Sequence, residues 1–231
     1  MKHLFFVICL VTLLCSSKKI ETFPVYNTQT FYLKGNVKLM IEKSQAIHVD
    51  SLLNYTIDTN RFNGITKYFY FSPLLELDST LFAKMDTIFF GKRFYFKTSK
   101  TSQMFSSTYT MKGVIELETK ISKYKNNILY TKNYAPVLGY HSKTEEKWEN
   151  SKIVWSKWES KLGSSYYEQL FEFDSNGFDT IIKSRNLKND PFTIYKVVYL
   201  EWDSLGNWTK RIEYNESDWT GSLVNRKIVY N

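Results

Sequence analysis

A short block that occurs twice near the C-terminus constrains this chain more than any other feature. Phe171-Glu172-Phe173-Asp174-Ser175-Asn176-Gly177 is matched by Leu200-Glu201-Trp202-Asp203-Ser204-Leu205-Gly206, with the Asp residues 29 apart (203 − 174). In each copy an apolar run leads into Asp-x-x-Gly and a second strand-like run follows. Asp at the first position of a type I turn accepts hydrogen bonds from nearby backbone N–H groups. Gly at the fourth position takes positive φ without a Cβ clash. Together they specify a hairpin loop with a G1 bulge. The flanks alternate with period two: Val198, Leu200 and Trp202 against Val197, Tyr199 and Glu201 going in, then Trp208, Lys210, Ile212 and Tyr214 coming out. That is the strand signature.

The rest of the sequence agrees with an all-β fold. Aromatic residues make up 17% of the chain, and this richness favours strands over helices. Alternating or continuous apolar runs over 31–43, 68–71, 87–96, 109–121, 127–134, 136–140, 166–173, 180–184, 192–202, 208–214 and 225–230 predict strands at short spacing. Gly91 marks a turn or bulge within one of them. Helices are few: residues 44–55 and 79–85 each read as a short helix at most, the second capped by Asp78 or Ser79. The expected topology is an antiparallel meander of repeated hairpins, in an open or rolled sheet. Arg226 and Lys227 on the last strand read as charges that protect a sheet edge.

Trp202-Asp203-Ser204-Leu205-Gly206-Asn207-Trp208-Thr209-Lys210-Arg211 resembles the Tyr-Asp hairpin repeat of bacterial extracellular proteins. Leu33-Lys34-Gly35-Asn36-Val37-Lys38 is similar to the opening strand of exported, uncharacterised β-meander proteins of Bacteroidota-type bacteria. The likeness spans about a third of the chain, and no further Asp-x-x-Gly block is intact between residues 39 and 170. It implies a β-meander and no activity; fold likeness does not carry one.

The N-terminus reads as an export signal over 1–17. Lys2 is followed by an apolar run from Leu4 to Cys15 that is too short to span a bilayer and ends at Ser16-Ser17-Lys18-Lys19. Two cleavage modes stay open. Cys15 is a candidate lipidated cysteine of a bacterial lipoprotein, although Leu14 before it is atypical; the other mode is ordinary cleavage after Ser17. Residues 18–30 would then be a tether, and 31–231 the β-meander. The only cysteines are Cys9 and Cys15, so the mature domain has no disulfide and depends on its core and ladders. Net charge is +8, or 30 − 23 = +7 without Lys2. Lysines such as Lys97, Lys112, Lys120 and Lys132 are spread among apolar residues and read as a basic, solvated sheet face.

Residues 142–165 are unusual in composition, with Lys143-Thr144-Glu145-Glu146-Lys147 followed by Trp148, Trp155 and Trp158. They read either as an exposed excursion between halves 31–140 and 166–231, or as a twisted hairpin packed on the sheet. No metal-ligand spacing, nucleophile elbow or nucleotide fingerprint is present, and the chain calls for no cofactor and no nucleic acid partner. The His48-Val49-Asp50 pair reads as a surface accident. Trp148, Trp155, Trp158, Trp208 and Trp219 lie beside polar residues and turns, where tryptophans stack on sugars or anchor interfaces. They are the candidate ligand-binding residues.

The expectation is an exported, non-enzymatic protein of the periplasm, outer membrane or medium. Its role is binding or structural, its partner an envelope glycan, lipid or protein, and its contact with a membrane is through the lipid anchor alone. Two alternatives are a hydrophobic-ligand carrier with Phe94, Phe96, Val198 and Leu200 turned inward, and a glycan-active enzyme using Glu149 and Glu159 in a groove near Trp155 and Trp158.

Overall fold

The structure, a computed structural model, describes residues 27–59, 64–84, 88–98, 103–109, 115–135, 140–160 and 165–231. Cys15, the expected leader over 1–17 and most of the expected tether over 18–30 lie outside the described residues. Among the described residues, every element after a 3-10 turn at Thr28–Phe31 is a strand: β1 (Val37–Val49), β2 (Tyr55–Ile57), β3 (Ile65–Phe71), β4 (Leu77–Lys84), β5 (Ile88–Thr98), β6 (Gln103–Tyr109), β7 (Ile115–Lys125), β8 (Ile128–Ala135), β9 (Tyr140–Glu149), β10 (Lys152–Ser160), β11 (Tyr166–Phe173), β12 (Asp179–Arg185), β13 (Thr193–Trp202), β14 (Trp208–Asn215) and β15 (Thr220–Tyr230). Each strand from β3 to β15 is hydrogen-bonded to its neighbours in sequence, all antiparallel. The fold is the expected antiparallel β-meander.

The two ends of the meander meet at β1. One edge of β1 pairs with β15 from Val37↔Tyr230 to His48↔Thr220, and the other carries β3 and the short β2. Arg226 and Lys227 therefore guard no edge: Arg226 faces Glu42 across the β1–β15 ladder. The sheet is rolled, because β1 pairs with both β3 and β15, the two ends of the strand series, and residues 27–36 lie across this seam. Phe31 packs on Phe69 and Phe71 of β3, its carbonyl accepts from Arg226 of β15, and Tyr32 rests on Phe178 before β12.

Both expected helices are strands. Residues 44–49 continue β1 because β15 takes their backbone groups, and 79–84 form β4 between β3 and β5. Propensity yields here to the ladder. The run over 109–121 belongs to two strands, β6 and β7. A register shift opposite Gly91 is the expected bulge. Residues 142–160 are no excursion; β9 and β10 form a hairpin in line with β8 and β11.

Both Asp-x-x-Gly blocks form the five-residue loop the sequence specifies. The N–H of Gly177 donates to the Asp174 carbonyl at 2.9 Å and that of Gly206 to Asp203 at 3.0 Å, with φ of 81° and 74° at the glycines. The Asp carboxylates accept from the N–H of Phe178 and Asn207. The same loop recurs at 50–54 and 72–76, with Leu53 and Leu75 at the left-handed position (φ 65° and 61°). These copies lack the Asp-x-x-Gly signature because leucine replaces glycine in both and Ser72 replaces aspartate in the second. Asn126–Asn127 and Asn150–Ser151 are two-residue turns with both φ positive, the form that matches strand twist.

The turns 72–76, 126–127, 150–151, 174–178 and 203–207 share one rim with residues 27–36, here the N-terminal rim. Loops 50–54, 186–192 and 215–219 lie at the far rim. Two apolar clusters hold the β1 seam. Leu33, Val37, Met40, Phe69, Phe71 and Leu77 are buried near the N-terminal rim; Ile47, Val49, Ile212, Tyr214 and Leu223 are buried towards the far rim. Each such side chain contributes about 1.5–3 kcal/mol on burial. Gly221 lets β14 and β15 approach: a Cβ there would lie 2.0 Å from the Glu213 carbonyl oxygen.

Candidate functional site

Strand alternation sorts the side chains into two faces. The concave face, which receives residues 27–36, carries Glu42, Arg226, Arg211, Glu213, Tyr199, Tyr195, Ile182 and Tyr167 in register across β1 and β11–β15. The convex face carries Trp155, Glu168, Arg185, Val198, Ile212 and Leu223.

A charged and aromatic keel fills the concave face near the N-terminal rim. Arg226 donates to Glu42 through Nε and Nη2, each at 3.0 Å, and lies 3.4 Å over the ring of Trp208. Arg211 bridges Asp179 at 3.0 Å and Glu213 at 2.5 Å. The Tyr199 hydroxyl donates to Asp179 at 2.6 Å. Burial alone would raise Glu42, but Arg226 and Lys67 outweigh it and hold its carboxyl below the ordinary range. Burial pushes Tyr32 and Tyr199 well up, and Asp179 adds to it. Such pairs specify geometry more than they add stability, and removing one partner strands the other.

Towards the far rim the same face opens into a cavity of about 200 Å³. Its walls are Tyr167, Gln169, Ile182, Ser184, Tyr195, Glu213 and Ser222, contributed by five consecutive strands. All but Ile182 end in hydrogen-bonding groups. Behind it, on the convex side of β11, a groove of about 590 Å³ runs along Glu159, Tyr166, Leu187, Lys188, Asn189 and Asp190. Its Tyr166 wall is fixed by a carboxylate hub. Buried Glu168 accepts from the Trp155 Nε1–H at 2.7 Å, the Arg185 Nε–H at 2.7 Å and the Tyr166 hydroxyl. Burial opposes the charge on Glu168, but these donors win and hold its pKa down.

The five candidate tryptophans do not share a site. Trp208 and Trp148 are buried, Trp208 under Arg226 and Trp148 against Leu129. Trp219 stacks on Tyr214 at 6.0 Å in the convex apolar cluster. Trp155 and Trp158 stand three residues apart on a strand and so face opposite ways. Trp155 anchors the hub beside the groove, and Trp158 pairs across from the cavity residue Tyr167. Trp202, not singled out from the sequence, is 45% exposed and packs on Phe178 and Tyr199 at the N-terminal rim.

The alternatives meet this geometry directly. Glu149 and Glu159 sit at opposite ends of the β9–β10 hairpin, roughly 23 Å apart by strand rise, beyond the spacing of a glycosidase acid–base pair. Val198 lies on the convex face in the apolar cluster and Leu200 is exposed, so neither lines the cavity. The side chains of Phe94 and Phe96 fall outside the described set. His48 pairs with Asp58 at 3.3 Å, whereas Asp50 caps its own loop.

These features define a rolled antiparallel meander with a polar concave face. The chain matches no protein-family description, no curated protein and no solved structure.

Proposed function

We propose that this chain is an exported, non-enzymatic binding protein of the bacterial envelope or medium, and that it meets a hydrophilic ligand at its far rim. One positional observation supports this reading. The polar cavity and the Tyr166 groove both open at the far rim, while residues 27–36 enter at the other. A chain held through residues 18–30, by an acyl-modified Cys15 or otherwise, presents the far rim outward. The polar walls favour a glycan or another hydrated ligand over a lipid. In the groove, a ring face held by Glu168 is a platform on which a sugar can stack.

Two measurements test the reading. Intact mass after expression in a host with lipoprotein machinery is expected to give either an acylated Cys15 in the membrane fraction or a soluble chain starting at Lys18. An uncleaved leader on a cytoplasmic protein would sink the export reading. Titration with soluble envelope glycan fragments is expected to show binding that Tyr166→Ala abolishes; binding indifferent to it would remove the groove from the proposal.

A further inference from the structure

The cavity differs from a general polar surface in the sign of its charge. Glu213 is its one charged wall, and no Lys or Arg lines it. Arg211 bonds Glu213 but is shared with Asp179, so two carboxylates divide one guanidinium. Arg226 is taken by Glu42 and sits above Trp208. Glu213 is thus the one charge that faces the cavity, and its partner Arg211 is not among the walls. Two tyrosines complete the walls. Tyr195 is the cross-strand partner of Ile182, and Tyr167 stands on the wall beside the Gln169–Ser184 cross-strand pair. Tyr167 is 37% exposed, open to an incoming molecule. Aromatic rings beside a carboxylate attract a cation through the ring quadrupole and through charge. The space equals about seven water volumes, enough for a small organic amine and too small for an oligosaccharide.

We infer that the far-rim cavity bounded by Tyr167, Tyr195 and Glu213 binds a small ligand bearing an ammonium group. Glu213 and the tyrosine rings receive the cation, while Gln169, Ser184 and Ser222 accept from or donate to its polar substituents. This rests on the binding reading above and names the ligand class of one of its two sites.

The test is calorimetric titration of the full mature chain with choline, with the neutral carbon isostere of choline, and with glucose. Choline is expected to bind at least about tenfold more tightly than the isostere. Glu213→Gln and Tyr195→Ala are each expected to weaken choline about tenfold or more, while Leu74→Ala, an exposed side chain in the turn at the N-terminal rim, leaves it unchanged. Tyr195→Ala keeps the test decisive if Glu213→Gln perturbs folding through Arg211. Equal binding of choline and the isostere, choline binding untouched by both cavity variants, or no choline binding at all each overturns the inference. Glucose binding without choline binding also overturns it, and leaves the hydrophilic-binding reading standing.

Discussion

Asn207 and Asn54 occupy the fifth position of the same loop, and replacing each by alanine separates burial from turn chemistry. Asn207 is fully buried. Its side-chain oxygen accepts from the Lys34 N–H at 2.5 Å, and its amide donates to the Lys34 carbonyl at 3.1 Å and the Tyr230 hydroxyl at 2.6 Å. Asp203 is a third acceptor at 3.3 Å, but an amide has only two hydrogens, so three bonds is the ceiling. At about 1 kcal/mol each, Asn207→Ala costs roughly 3 kcal/mol. Lys34 is exposed and its freed backbone groups can be hydrated, so no large desolvation penalty adds to this. Asn54 makes one side-chain bond, to Asp50, in an exposed loop, and Asn54→Ala is expected to leave the unfolding midpoint nearly unchanged. Urea denaturation at constant m reads the difference. Hydrogen exchange adds a local readout: the Lys34 amide should lose protection in Asn207→Ala alone. Equal midpoint shifts in the two variants, or a shift below about 1 kcal/mol for Asn207→Ala, would refute the view that this side chain ties the turn to the N-terminal segment and the last strand.

Gly221→Ala drives a Cβ into the Glu213 carbonyl and the Tyr214 backbone, and is expected to cost at least about 2 kcal/mol in thermal or urea unfolding; a neutral result would mean β14 and β15 separate freely. Leu53→Gly relieves a left-handed leucine (φ 65°). The relief of about 1–2 kcal/mol exceeds glycine's entropy cost of about 0.5–1, so the unfolding midpoint should rise, and a fall would show that the leucine side chain packs more than it strains. At high pH, burial and Asp203 push Tyr230 up to about 12, and burial with Asp179 raises Tyr199 and Tyr32 further. These folded-state values lie above the ordinary 10 of the unfolded chain, so the stabilisation is complete below about pH 10 and is lost as pH rises through the folded values. Tyrosinate absorbance should show these rings titrating late and together with unfolding; early, independent titration would contradict their burial.

The parts of this fold legible in the sequence are those set by local chemistry. Asp174-x-x-Gly177 and Asp203-x-x-Gly206 announce their loops because glycine is the cheapest residue at positive φ. Leu53 and Leu75 adopt the same conformation without announcing it, since the surrounding ladder bears the strain. The meeting of β1 and β15 was legible in neither strand, because it joins residues nearly two hundred positions apart. Its one trace is the charge pattern: Glu42 and Arg226 stand in strands that otherwise read as edges, and each is the other's partner. Arg226 in isolation looks like edge protection; only register makes it half of a buried pair.

The candidate site failed to appear in the sequence for a related reason. Tryptophan marks surfaces that bind, but it also fills cores, and Trp148 and Trp208 do the second. The cavity is lined by Tyr167, Gln169, Ser184, Tyr195, Glu213 and Ser222, residues of unremarked type that come from five strands. What unites them is parity. Each sits on the concave side of its own strand, within a few residues of the far rim, and each is positioned by a ladder register that no single strand specifies. A one-residue slip of β13 against β14 would turn Tyr195 to the convex side and bring Lys196 to the cavity in its place. A lysine would then stand beside Glu213, the cavity's one charged wall. The sign of the site is thus a property of strand register, and the bulges that reset register near Tyr199 and Glu201 help decide what the far rim can bind.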